Sequence, residues 1–237
     1  MGQFGMGQAV RRVEDLRLLT GDGRYTDDIV LPRQTVGYVL RSPHAHALIR
    51  GIDTSAASAM PGVLGIFTCA DLRRDGVGDM PCLTPLTNVD GSEMVLPPRP
   101  ALADGRVRHV GDGVAFIVAE TMAVARDAAE AIEIDYEQLP AATGTATAGE
   151  PGQPLVWDDV PGNVAFDWAQ GDEAGVAAAF AGAHKVVAIE LVNNRLVVNS
   201  MEPRGAIGEY QKGDGRYVVY TSSQGPHLIR SQLAGMI

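Results

Sequence analysis

GDGVAFIVAETMAVARDAAEAIEIDYEQLP, residues 111–140, reads as strand, helix and strand in close succession. Val114 to Ala119 is a continuous apolar run of strand length, a pattern that suits burial on both faces. Thr121 stands where a side-chain oxygen can cap a helix. Met122, Ala125, Ala129 and Ile132 follow at spacings of 3, 4 and 3, which is one face of a helix. Arg126 and Glu130 form an exposed i, i+4 pair on the same helix. Ile132, Ile134 and Tyr136 then alternate with Glu133, Asp135 and Glu137, as in a strand with one dry face. Elements alternating in this way place the chain in the α/β class, with α+β character.

Upstream, residues 1–10 form a glycine-containing lead-in expected to be flexible, and Arg12 to Leu19 can make two helical turns closed by Gly21. Strands are expected over 35–41, where Val36, Tyr38 and Leu40 share a face, over 47–52, and over 63–67. Thr68 and Asp71 have the spacing of a capping box. From 73 to 100 the periodicity gives way to Gly, Pro, Asp and Asn, which predicts a long loop. Downstream, Pro140, Pro151, Pro154 and Pro161 punctuate an extended connection over 138–164. A helix over 173–183 and a strand over 184–192 follow. Two β-prone runs, 205–211 and 216–222, are joined by Lys212-Gly213-Asp214-Gly215 as a hairpin. Pro226 suits the first turn of a last helix, whose Ile229, Leu233 and Ile237 would form a buried face. That face requires a partner, so the chain is expected to be part of a larger unit.

Composition narrows the functional classes. Of 237 residues 46% are hydrophobic and 20% charged, as in soluble globular proteins, while aromatics are only 5%. With many Ala and Gly, the core is expected to rest on small side chains. The formal charge of −10 argues against a partner that selects for Lys and Arg, such as nucleic acid or an anionic membrane. Between Asp112 and Glu190 there are fourteen acidic residues and only Arg126 and Lys185 against them. Cys69 and Cys82 are the only cysteines, too few for a four-cysteine cluster. The N-terminal MGQFGMGQAV lacks a long apolar core, so no secretory signal is expected, and no run approaches the ~20 apolar residues of a membrane span. A soluble, cytoplasmic protein is the expectation.

Few residues carry chemistry on their own. His44 and His46 would share one face of a strand and could ligate a metal, but no third ligand is near in sequence, so turn and packing roles are expected. There is no Gly-x-Ser-x-Gly elbow and no glycine-rich dinucleotide fingerprint between a strand and a helix. Thr221-Ser222-Ser223-Gln224-Gly225-Pro226 is the more suggestive stretch. It lies between a strand end and a helix start, where free backbone N–H groups gather, and Gln224 brings both a donor and an acceptor.

Six segments, in order, carry a family resemblance: RRVEDLRLLTGDGRYTDDI (11–29), GYVLRSPHAHALIRGID (37–53), PGVLGIFTCADL (61–72), ALADGRVRHVGDGVAFIVAE (101–120), ARDAAEAIEIDYEQLP (125–140) and MEPRGAIGEY with YTSSQGPHLIRSQLA (201–234). Together they resemble the molybdenum-cofactor-binding large subunit of the xanthine dehydrogenase, aldehyde oxidase and carbon monoxide dehydrogenase family. Leu16 stands where that family often has proline. The resemblance implies an α/β hammerhead domain over 1–145, with its core at about 12–140 and a mixed sheet with helices. It further implies a linker over 146–162 and, from 163 to 237, the first hairpin and helix of an incomplete molybdopterin-binding domain. It implies hydroxylase chemistry that places a water-derived oxygen on an aldehyde, an N-heterocycle or carbon monoxide. The cofactor would be molybdenum–molybdopterin, with [2Fe–2S] clusters and FAD on other subunits.

By the same resemblance Gln224 matches the glutamine of a Thr-x-Gln stretch that lies near an oxo ligand of molybdenum. The family's Gly-Gly-Phe-Gly-Gly stretch and its catalytic glutamate have no match here and are expected beyond Ile237. No catalytic residue or metal ligand is therefore assigned within this chain. Its partners would be the remaining part of the molybdopterin-binding subunit and the iron–sulfur and FAD subunits. The competing expectation is a non-catalytic hammerhead module for interaction or assembly. Gln224 and the helix after it favour the enzyme, because a scaffold has no use for that turn.

Overall fold

The computed structural model describes residues 11–194 and 196–237, so the expected lead-in over 1–10 lies outside the described residues. Helices are α1 Asp15–Leu19, α2 Ser55–Ser58, α3 Cys69–Arg74, α4 Met122–Glu130, α5 Glu173–Ala181 and α6 Pro226–Ala234. Strands are β1 Val36–Arg41, β2 Ala47–Asp53, β3 Val63–Thr68, β4 Arg106–Val107, β5 Gly113–Ala119, β6 Glu133–Gln138, β7 Ala206–Gln211 and β8 Arg216–Thr221. The chain divides into two compact units. One combines the described residues up to Gln34 with Glu190–Gly225; the other combines Thr35–Ile189 with Pro226–Ile237.

The larger unit contains the strand–helix–strand stretch. Its α/β class holds, but its strands form two three-stranded antiparallel sheets, ordered β1-β5-β3 and β4-β2-β6, rather than one mixed sheet. β5 is already flanked on both edges by β1 and β3, so β6 cannot join it and pairs with β2 instead. The first core cluster is made of small residues, as the composition predicts. Ala115, Ile117 and Ala119 of β5 pack with Ala57 of α2, with Ala125, Ala128 and Ala129 of α4, and with Ile132. The small faces let helix and sheet approach closely. Met122, expected on this face, is 42% exposed, and Ala128 takes the core position instead. A second cluster, Ala47, Ala103, Val107 and Val114, lies at the β2–β4 sheet.

Phe116 shows how closely the strands are fitted. Its ring lies over Gly37 of β1, where an added Cβ would come within 2.5 Å of the ring. A larger residue there would have to displace the Phe116 ring. Thr121 caps α4 by accepting from the Val124 N–H at 3.3 Å. Thr68 and Asp71 form the expected capping box at α3, with two contacts of 2.8 Å to the Asp71 carboxylate. The Thr68 N–H bond, first among the causes, holds the Asp71 carboxyl below its usual range.

Two irregular stretches of this unit are anchored. The loop over 73–100 is bonded to 165–167 through Val89 N–H to Asp167 O at 2.9 Å and Val95 N–H to Ala165 O at 2.8 Å. Segment 146–162 lacks strands, yet one side chain gathers it. Asn163 Nδ2 donates to Ala148 O and Pro154 O at 2.8 and 2.9 Å, and its Oδ1 accepts from Val156 N–H at 2.8 Å. Arg108 lies 3.4 Å over the Trp157 ring, and Arg106 pairs with Asp158 at 3.0 Å. Burial, then the neighbouring Arg106, lowers the Arg108 guanidinium from its ordinary value.

One expectation fails at the C-terminal side. Among the described residues no strand forms over 184–192, which is irregular. Its apolar pattern suits a strand, but a strand exists only against a partner ladder. The stripe of α6, expected to require a partner, is largely uncovered: Ile229 is half-buried, while Leu233 and Ile237 are exposed. The helix ends at Ala234, so Ile237 leaves its face; Met236 is buried instead, and its carbonyl accepts from the Gly78 N–H.

Candidate functional site

In the smaller unit α1 is shorter than expected, beginning at Asp15. Gly21 closes it with φ +82°, and the Asp22 N–H returns to Arg17 O at 2.9 Å. The expected hairpin is present. β7 and β8 pair antiparallel from Ala206↔Thr221 to Gln211↔Arg216, with the Tyr210 and Tyr217 rings 4.9 Å apart between centroids. Gly215 takes φ +67° in the connecting turn, as a tight return to the second strand requires.

The turn that leaves β8 carries the candidate residue. Thr221 Oγ1 donates to Gly205 O at 2.9 Å, tying the open end of the hairpin together. Ser223 Oγ accepts from the Gly225 N–H at 2.9 Å and so curls the chain around Gln224. Gln224 is exposed, and its amide makes no hydrogen bond among the described residues. Its neighbours Ser222 and Ser223 are neutral, so a donor-rich, carboxylate-free turn faces outward. A group bearing anionic oxygens matches that donor set.

The histidines of the β1–β2 connection have separate roles. His46 is buried, and its Nδ1 lies 2.8 Å from Pro140 O. A carbonyl only accepts, so Nδ1 is the donor in this bond, while Nε2 is buried without a hydrogen-bond partner among the described residues. His44 instead packs edge-on against Tyr136 at 4.8 Å. No set of three or more His, Cys, Asp or Glu side chains able to hold a metal occurs among the described residues. Cys69 and Cys82 are free; burial pushes the Cys69 thiol up, which makes it a poor nucleophile. No helix among the described residues is long and apolar enough to cross a membrane.

The family model for the aldehyde oxidase and xanthine dehydrogenase a/b hammerhead domain matches residues 20–140. The chain belongs to this family. A second model, that of a molybdopterin cofactor-binding domain, matches 156–237 and includes the Gln224 turn. The carbon monoxide dehydrogenase large chain of Afipia carboxidovorans is 36% identical over 239 residues, spanning 96% of this chain and 28% of that protein. The nicotine 6-hydroxylase large subunit of Paenarthrobacter nicotinovorans is 35% identical over 229 residues, spanning 97% of this chain and 27% of the relative. Among solved structures, quinoline 2-oxidoreductase from Pseudomonas putida 86 superposes with a TM-score of 0.82 at 36% identity, covering 97% of this chain and 28% of that one. The chain therefore spans less than a third of the length of these relatives.

Sequence reasoning passed over Thr26, Glu202, Arg108 and Asn163. Each acts on a partner distant in sequence or through an irregular segment, where periodicity carries no signal. Glu202 does lie inside the quoted MEPRG stretch, and that stretch was its only sequence cue.

Proposed function

We propose that this chain supplies the opening part of the molybdopterin-binding subunit of a molybdenum-dependent oxidoreductase. In this reading the hammerhead domain occupies 1–145, a connection 146–162, and the first part of the cofactor domain 163–237. When bound, the molybdenum cofactor supplies the two-electron oxidation that adds a water-derived oxygen to an aldehyde, an N-heterocycle or carbon monoxide. The supporting observation is the unpartnered Gln224 amide, exposed in a neutral turn of the segment that resembles a cofactor-binding domain. Its N–H group would donate to an oxygen of the cofactor and stabilise negative charge that grows there during turnover.

The remaining chemistry, including the catalytic glutamate, would come from the rest of the subunit, with [2Fe–2S] and FAD partners accepting electrons. Two free cysteines fit a reducing compartment such as the cytoplasm. The decisive experiment is intact-mass and metal analysis of the protein purified from its native source. The expected result is molybdenum in a larger chain, or in this chain with a co-purifying one. A stable, partner-free, metal-free species of 25.0 kDa would overturn the proposal.

A further inference from the structure

Glu202 lies outside every helix and strand, yet it is held from the opposite end of the sequence. Thr26–Asp28 forms a 3-10 turn, stabilised where the Tyr25 N–H donates to Asp28 Oδ2 at 2.8 Å. Thr26 in that turn is buried, and both of its donors meet one carboxylate oxygen. Its N–H lies 2.9 Å and its Oγ1 3.2 Å from Glu202 Oε1. Bonds from two donors to a charged acceptor are stronger than neutral pairs. The same turn abuts Gly205: a Cβ built there would meet Thr26 Cγ2 and Asp27 Oδ1 at 3.7 Å. Gly205 O in turn accepts from Thr221 Oγ1, and Thr221 pairs with Ala206 at the open end of β7–β8.

The Thr26–Glu202 bonds thus lie three residues along the chain from Gly205, whose carbonyl is bonded to Thr221, three residues before Gln224. A two-stranded hairpin is marginal in water by itself. β7 and β8 pair with no third strand among the described residues, so the open end is where fraying would start. Fraying there would release the turn that carries Gln224.

The geometry points to Glu202 as a positioning residue: clasped by Thr26, it fixes the open end of the hairpin and with it the Gln224 turn. This inference rests on the reading of Gln224 as a cofactor-facing residue. The clasp also explains why the N-terminal arm belongs to the same compact unit as the hairpin.

The test uses the complete enzyme, with Glu202→Ala, Glu202→Gln, Thr26→Val and Gln224→Ala measured for hydrogen exchange, molybdenum content, kcat and KM. Glu202→Ala removes both bonds to Thr26 and is expected to speed exchange at residues 221–225 about tenfold. It should lower kcat by a similar factor while KM changes little. Glu202→Gln keeps an oxygen that accepts both bonds but loses the charge, so exchange and kcat should recover most of the way from Glu202→Ala toward wild type without reaching it. Thr26→Val deletes only the hydroxyl bond and should give an intermediate acceleration, which keeps the test open if Glu202→Ala does not fold. Wild-type exchange at 221–225 in Glu202→Ala, or no recovery toward it in Glu202→Gln, overturns the clasp. If Gln224→Ala leaves kcat and molybdenum content unchanged, the cofactor reading of Gln224 falls and the positioning role falls with it. If Gln224→Ala is impaired while Glu202→Ala turns over normally, only the positioning role falls.

Discussion

Two apolar stretches of this chain meet opposite fates. VAFIVA of β5 lies between β1 and β3 beneath α4, and Ile117 at its centre is fully buried. Residues 186–192, KVVAIELV without its lysine, are as rich in β-branched and aliphatic side chains, yet Leu191 is 78% and Val192 81% exposed. Composition does not separate the two. The difference is the presence of flanking strands and a helix within reach, which convert apolar content into buried area. Full burial of a side chain such as Ile117 is worth about 1.5–3 kcal/mol relative to leaving it exposed. The irregular segment obtains none of that within the described residues.

The contrast can be broken by mutation. Ile117→Ala opens a cavity in the β5–α4 core and should cost about 3 kcal/mol, read as a lower denaturant midpoint with an unchanged slope. A loss under 1 kcal/mol would mean the core collapses around the gap. Next in size is Asn163→Ala. It deletes three side-chain hydrogen bonds and leaves alanine at φ +55°, so about 2 kcal/mol is expected. Limited proteolysis should then cut within 146–162 before anything else, and wild-type resistance there would show that the Arg108–Trp157 and Arg106–Asp158 contacts suffice to hold the segment. Thr121→Ala removes one cap bond from α4 and should cost about 1 kcal/mol. Thr121→Ser, which keeps the oxygen, should recover most of it.

The same contrast explains what could be read in the sequence. β1, β2, β3, β5, β6, α4 and the Thr68–Asp71 and Thr121 caps were legible because periodicity and capping are local. The hairpin was legible from its glycine-rich turn. The absence of a strand over 184–192 was not, because the residues satisfy the local pattern and only the partner is missing. α2 and β4 are too short for any window to find. The division of β5 and β6 between two sheets depends on which edges are already occupied, a property of the fold and not of either strand. Gln224 became a candidate through family resemblance; physics alone offered only a strand-to-helix turn. The Thr26–Glu202 clasp joins residues 176 apart and had no local signature at all.

The smallest predicted effect is also the sharpest check on the comparison. Leu191→Ala removes more apolar atoms than Thr121→Ala, and by composition alone it would rank beside Ile117→Ala. Because the side chain is 78% exposed, little area returns to water on truncation, and the cost to this chain should stay within about 0.5 kcal/mol. A loss near that of Ile117→Ala would mean that the segment is packed and that the two regions do not differ in kind. Equal midpoints for wild type and Leu191→Ala, measured beside the large shift from Ile117→Ala, would place the difference in partners rather than in residues.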